Sequence, residues 1–222
     1  MHMSVLPPSA VELEFARRYD QEHARVCRQA QPRGLAERLT FWRSGQLVRH
    51  ALKVAGEPGL ILDVACGAGR FWPVLAEHAN RVILACDPSQ DMLNHAQTHH
   101  PHDVLKRIKT FQSSAFSIGL SANAVDSIFC MQLFQHIDGA EYRLAMLKEF
   151  HRVGRDTVIV AVRVEARFKW LRSRSQVLPA QRPVSRAEVE AQFKEAGLRI
   201  LGHQDYLPGC MGMRVYVLRK AS

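Results

Sequence analysis

Leu60-Ile61-Leu62-Asp63-Val64-Ala65-Cys66-Gly67-Ala68-Gly69 is the stretch whose reading decides the fold. Its first five residues are an apolar run with one acid near the end. That is the pattern of a strand covered on both faces of a parallel sheet. Its last five residues are all small. Small residues let the backbone turn sharply and let a ligand come close to the main chain. The N–H groups of such a turn, and of the helix that follows, can then face a polar ligand. Pro73 sits where a first helical turn tolerates it, and the pattern predicts a helix to about residue 79.

Working outward, strands and helices alternate. Residues 81 to 86 read as a second strand ending at Asp87. Ser89 is placed to cap a helix that carries Met92, Leu93 and Ala96 on one face. Residues 108 to 112 and 125 to 131 read as the third and fourth strands, 140 to 153 as a helix, and 157 to 164 as a fifth strand. This order implies right-handed βαβ units and a parallel sheet. The tail differs. Ser185 caps a helix with Val189, Phe193 and Ala196, and Gly197 ends it. Residues 198 to 206 and 212 to 219 then form an antiparallel hairpin around Leu207-Pro208-Gly209.

Upstream, residues 11 to 55 have helical spacing, at Val11, Phe15 and Tyr19 and again at Leu35, Leu39, Trp42, Leu47 and Leu52. Gln31-Pro32-Arg33-Gly34 breaks the two segments, and Gly56-Glu57-Pro58-Gly59 stops the second. The expected organisation is a helical cap or lid over residues 1–56 and an α/β core over 57–222. The core carries a basic insertion at 163–183.

Bulk properties narrow the class. With 222 residues, 47% hydrophobic and 23% charged, the chain can bury a core without disulfides or metals. No apolar run is long enough to span a bilayer. Residues 1–10 have no charged segment followed by an apolar one, so no signal peptide is expected. The cysteines (27, 66, 86, 130 and 210) are scattered, odd in number and without a CxxC pair. That pattern points to reduced thiols in the cytoplasm and away from zinc. The net charge of +9 admits an anionic small molecule, anionic lipid or nucleic acid as partner.

Asp63 through Gly69 resembles motif I of class I S-adenosylmethionine-dependent methyltransferases, an acid followed by Gly-x-Gly-x-Gly, with Ala65 standing at the first glycine. The nicotinamide fingerprint Gly-x-Gly-x-x-Gly fits less well, because neither Phe71 nor Trp72 is glycine and the acid precedes the glycines. Asp87, eighteen residues after Gly69, stands where a nucleoside-binding α/β fold takes the ribose hydroxyls. Asp87-Pro88-Ser89-Gln90-Asp91-Met92-Leu93 is similar to the family's ribose-binding segment, with Met92 against adenine. Ser114-Ala115-Phe116 stands where the family has an acid-Ala pair at the adenine amine, with Ser114 in place of the acid. The loop from Gln132 to His136 matches the one that carries a histidine near the methyl group in many small-molecule members. The resemblance covers roughly residues 57 to 219.

The resemblance implies a Rossmann-like sheet of seven mainly parallel strands, with an antiparallel strand at the C-terminus. It implies S-adenosylmethionine as cofactor, held by Asp63, Ala65, Cys66, Gly67, Gly69, Asp87, Pro88, Met92, Ser114, Ala115, Phe116 and Met131. No Asn/Asp-Pro-Pro-aromatic tetrad and no Pro-Cys pair follows the fourth strand. This leaves the ubiquinone-type and related small-molecule branch, methylating an oxygen or nitrogen of a small or lipid-like acceptor. Tyr19, Trp42, Gln132, Arg167 and Trp170 are the expected acceptor contacts.

Several residues carry two readings. His136 is either a general base or a histidine bonded to its own loop. Arg43 either meets the methionine carboxylate or is solvated. The basic stretch, with Arg163, Arg167, Lys169, Arg172, Arg174 and Arg182 around Phe168 and Trp170, is a surface for an anionic acceptor, lipid or single-stranded nucleic acid, or a solvated loop. His95, His99, His100 and His102 lie at a helix end and lack the acid or cysteine of a convincing metal set. An RNA methyltransferase and a non-catalytic S-adenosylmethionine-binding protein remain as alternatives.

Overall fold

The computed structural model describes residues 34–131, 133–165, 183–206 and 212–221. In chain order the elements are helix α1 (Leu35–Val54), strand β1 (Leu60–Val64), the one-turn helix α2 (Trp72–Leu75) and β2 (Val82–Asp87). They continue with α3 (Gln90–His99), α4 (His102–Leu105), β3 (Ile108–Gln112) and β4 (Val125–Cys130). After a 3₁₀ turn (Phe134–His136) come α5 (Ala140–Val153), β5 (Gly154–Val164), α6 (Arg186–Glu195), β6 (Leu198–Asp205) and β7 (Gly212–Lys220).

The seven strands form one sheet in the order β3-β2-β1-β4-β5-β7-β6. The first five pair in parallel, and β7 runs antiparallel to both β5 and β6. This is the Rossmann-like architecture the pattern implies. Alternate residues of each strand face opposite sides, and this divides the core in two. Leu62, Val64, Ile128, Cys130, Val158 and Val160 pack with Met146, Leu147 and Phe150 of α5 and Val189 and Phe193 of α6. Ile61, Ile83, Ala85, Phe129 and Ile159 pack on the other face with Leu47, Val48, Ala51 and Leu52 of α1 and with Trp72, Leu75 and Leu93. Both faces of β1 and β4 are therefore covered, which is why their sequences read as near-continuous apolar runs.

Local signals decide the ends of several elements. The Ser89 hydroxyl accepts the Met92 N–H at 3.4 Å, and the Ser185 hydroxyl accepts the Glu188 N–H at 3.1 Å. Each satisfies an N–H that its helix leaves orphaned. Gly197 takes a positive φ of 75° after α6. Two elements depart from the pattern. The helix expected to residue 79 stops at Leu75. The His78 carbonyl is instead taken by the Arg81 N–H and by the Arg107 guanidinium. Strand β5 begins at Gly154 rather than 157, because Gly154 pairs with Val125 across a register shift in the β4–β5 ladder. The helix expected over residues 11–30 lies outside the described residues, as does most of the basic insertion. No helix among the described residues is long and apolar enough to cross a membrane.

Candidate functional site

The strand order turns outward in opposite directions from β1 and β4, so a crevice opens between their carboxyl ends. The turn after β1, the end of β2 and the loop after β4, each of which carries residues singled out from sequence, lie at this end. The turn after β1 is built from three left-handed residues, with φ of 55° at Ala65, 54° at Gly67 and 73° at Gly69. Glycine enters that region freely, whereas a side chain is strained by about 1–2 kcal/mol, so Ala65 holds an unfavourable conformation. A Cβ on Gly69 would lie 2.5 Å from the Trp72 ring and 2.9 Å from His100, so only glycine fits there.

The turn is tied to the second strand at two points. The Cys66 N–H donates to the Cys86 carbonyl at 3.1 Å, and the Gly67 N–H donates to Asp87 Oδ2 at 2.9 Å. Asp87 Oδ1 accepts the Ser89 N–H at 3.0 Å. The Asp87 carboxylate is thus fully buried and fixed in plane by two backbone donors at the end of β2. Beside it, Asp63 on β1 is 4% exposed and accepts the Trp72 indole N–H at 3.1 Å. Burial pushes its carboxyl up to about 8. The Trp72 hydrogen bond opposes that rise, and the neighbouring Asp87 adds to it. Burial likewise holds the thiols of Cys66, Cys86 and Cys130 above the ordinary range, Cys130 to about 12, so none is a ready nucleophile.

The remaining expected contacts come from the neighbouring loops. Met92 and Ala115 are buried, Pro88 is half-buried, and the Ser114 hydroxyl accepts the Phe116 N–H at 3.1 Å. Met131 is buried directly after β4. His136 ends the 3₁₀ turn in the same loop, with its Nε2 3.2 Å from the Gln135 amide nitrogen. The Arg143 guanidinium donates to the Ile137 carbonyl at 3.2 Å and to Gln192 and Glu188, pinning this loop to α5 and α6. Trp42 is 58% exposed on α1. Tyr19, Gln132, Arg167 and Trp170 lie outside the described residues.

Three contributors were not legible in sequence. Trp72 orders Asp63. His100 places Nε2 2.9 Å from the Ala68 carbonyl and so reaches the glycine turn from the end of α3. The histidine group is therefore not simply a solvated helix end, although His95 and His99 do stack on each other with ring centroids 3.8 Å apart. Arg70, directly after Gly69, packs against α1. None carries a spacing signal, because each contact joins segments brought together by the sheet.

Residues 61–157 match the family model of the methyltransferase domain. The matched segment runs from β1 into β5 and so contains the glycine turn, Asp63, Asp87 and His136. No curated protein matches the sequence. Among solved structures the chain is similar to magnesium protoporphyrin IX methyltransferase of Synechocystis PCC 6803 with bound S-adenosylhomocysteine. That match has 15% identity and a TM-score of 0.72, and covers 94% of this chain and 97% of the other. It is similar as well to a SAM-dependent methyltransferase of Aquifex aeolicus, with 22% identity and a TM-score of 0.67, over 88% and 97% of the two chains. The cyclase SpnF shares the fold at 18% identity and a TM-score of 0.64, over 80% and 81%. At such identities the likeness is one of fold, and the chemistry rests on the site.

Proposed function

We propose that this methyltransferase moves a methyl group from S-adenosylmethionine to an oxygen or nitrogen of a small or lipid-like acceptor. The observation that carries the reading is the pairing of a left-handed, glycine-bearing turn with two buried acids at the carboxyl ends of adjacent strands. The donor set fits this cofactor. Asp87 suits two vicinal hydroxyls and repels a phosphate, and two carboxyl groups side by side favour a cationic ligand over an anionic one. Bound S-adenosylmethionine supplies a methyl group activated by its sulfonium.

Asp87 takes the ribose hydroxyls. The backbone of residues 65–69 passes the amino-acid portion, with Asp63 beneath it. Met92 and residues 114–116 frame the adenine, and Pro88, Cys66 and Met131 close the walls. His136 stands after β4, where an acceptor would enter. With the Gln135 amide donating to it, Nε2 is the basic nitrogen of the ring, and it takes the proton from an acceptor hydroxyl or amine. Alignment of nucleophile, methyl carbon and sulfur supplies most of the acceleration. The small-molecule, ubiquinone-type branch is favoured over nucleic-acid enzymes by the loop after β4, which lacks the tetrad that grips a planar base amine. The buried free thiols fit a reducing compartment such as the cytoplasm.

Calorimetric titration with S-adenosylmethionine and S-adenosylhomocysteine tests the cofactor. Micromolar binding by the wild type that is lost in Asp87→Ala is expected, and no binding by the wild type would overturn the reading. A panel of hydroxylated and carboxylated small molecules, followed by S-adenosylhomocysteine formation, tests the acceptor class. With an acceptor in hand, His136→Ala is expected to lower kcat by about 10²–10⁴-fold. Unchanged turnover would assign His136 to the loop alone.

A further inference from the structure

The peptide between Ala68 and Gly69 can face two ways. Gly69 takes a φ of 73°, and glycine takes the opposite sign about as readily. In a planar trans peptide the carbonyl and the N–H point in opposite directions, so a flip of this one plane exchanges the two. A flipped plane would put a carbonyl where the turn now has an N–H. Two contacts hold the plane as it stands. On one side the Gly69 N–H donates to the Cys66 carbonyl at 3.0 Å, within the turn. On the other the Ala68 carbonyl meets His100 Nε2 at 2.9 Å, from 32 residues away. A carbonyl only accepts, so Nε2 carries the proton of the ring.

His100 is fitted to this position. It is half-buried and forms the C-cap of α3. Its ring centroid lies 5.1 Å from that of Trp72, whose indole N–H orders Asp63. A Cβ on Gly69 would lie 2.9 Å from Nε2, so the histidine and the glycine fit only each other. At the opposite end of the same ten-residue helix, the N-cap Ser89 gives its N–H to Asp87. One helix therefore braces the site twice, at Asp87 through its N-cap and at the glycine turn through its C-cap.

We propose that His100 is a positioning residue for cofactor binding. Its Nε2–H holds the Ala68–Gly69 peptide in the orientation that presents the turn to the amino-acid part of S-adenosylmethionine. The nucleoside part, which rests on Asp87 and the segments beyond it, does not depend on this contact. The inference rests on the cofactor reading for its ligand, though not for the peptide lock.

The test compares wild type with His100→Gln and His100→Leu. Gln Nε2 stands as many bonds from Cβ as His Nε2 does and also donates, whereas Leu fills the space against Trp72 without a donor. Amide hydrogen exchange of the ligand-free protein reads the lock. Calorimetry with S-adenosylhomocysteine, and with methylthioadenosine, which lacks the amino-acid part, reads its use. His100→Leu is expected to speed Gly69 exchange about tenfold and to weaken S-adenosylhomocysteine binding by about 5–10-fold, with methylthioadenosine changed less than about twofold. His100→Gln is expected to bring exchange and binding back to within about twofold of wild type. Equal weakening of the two ligands, or a loss that Gln does not rescue, assigns His100 to packing and overturns the proposal. So does His100→Leu that matches wild type in Gly69 exchange, or that speeds exchange and leaves S-adenosylhomocysteine binding unchanged. Should wild type bind neither ligand, the cofactor reading is what has failed, and the exchange of Gly69 alone upholds or removes the lock. His100→Asn, whose amide is one bond short of Nε2, carries the comparison if His100→Leu does not fold.

Discussion

Replacing Asp63 with Asn should flatten the dependence of stability on pH. The wild-type carboxyl is 4% exposed, accepts one indole N–H at 3.1 Å and lies beside a second buried acid. Burial pushes it up to about 8 from an ordinary 3.8. The folded protein therefore keeps this proton to a higher pH than the unfolded chain does. The resulting stability is fully present below about pH 4 and is lost as pH rises through 8. Roughly four units at about 1.4 kcal/mol each give a loss of about 6 kcal/mol across the window, of which about 4 kcal/mol is gone by pH 7. Asn carries no charge at any pH, and its carbonyl can still accept the Trp72 N–H. The variant should match wild type near pH 4 and exceed it by several kcal/mol at pH 9. In urea that is a midpoint higher by about 1–2 M, taking m near 3 kcal/mol/M. Parallel midpoints for the two proteins from pH 5 to 9 would refute the argument, since Asp63 would then titrate alike in both states.

A positively charged ligand beside Asp63 should lower its pKa. Binding of S-adenosylmethionine at pH 7 should therefore release a proton, and binding of S-adenosylhomocysteine, which lacks the sulfonium, should release less. Titrations in buffers of different ionisation enthalpy measure this directly, and equal proton release for the two would count against it. Ala65→Gly relieves a left-handed alanine but loosens the unfolded chain. The net expectation is a gain of about 0.5–1 kcal/mol, seen as a Tm rise of about 2 °C, whereas Ala65→Val should lower Tm. Arg81 is 2% exposed and donates to the Pro58 and Leu75 carbonyls and to Glu57. Arg81→Met, which leaves those acceptors unmatched, should cost about 3 kcal/mol in denaturant unfolding at neutral pH.

Much of the fold was legible along the chain. The apolar runs of β1, β2 and β4, the caps at Ser89 and Ser185, the full extent of α5 and the C-terminal hairpin all rest on neighbours a few residues apart. The early stop of α2 was not legible, nor was the contact that holds the chain after it, Arg107 reaching the His78 carbonyl from 29 residues away. Nor was the start of β5, which depends on a bulge opposite Val125. The site divides in the same way. Gly67, Gly69 and Asp87 stand out in one dimension, since a turn and a strand end have fixed spacing. Trp72 against Asp63, His100 against Ala68, and Arg70 between Phe41 and Phe71 do not.

The sequence by itself determined that this chain folds as a parallel sheet with a tight turn and two acids at strand ends, because periodicity, caps and small residues act locally. Only the tertiary structure decided the electrostatics of that end. It buried Asp63 beside Asp87 until the carboxyl holds its proton, and it left Arg70 half-buried with no acid within ion-pair distance among the described residues. Charge is readable from a residue's name, but the work of removing that charge from water depends on every segment packed around it.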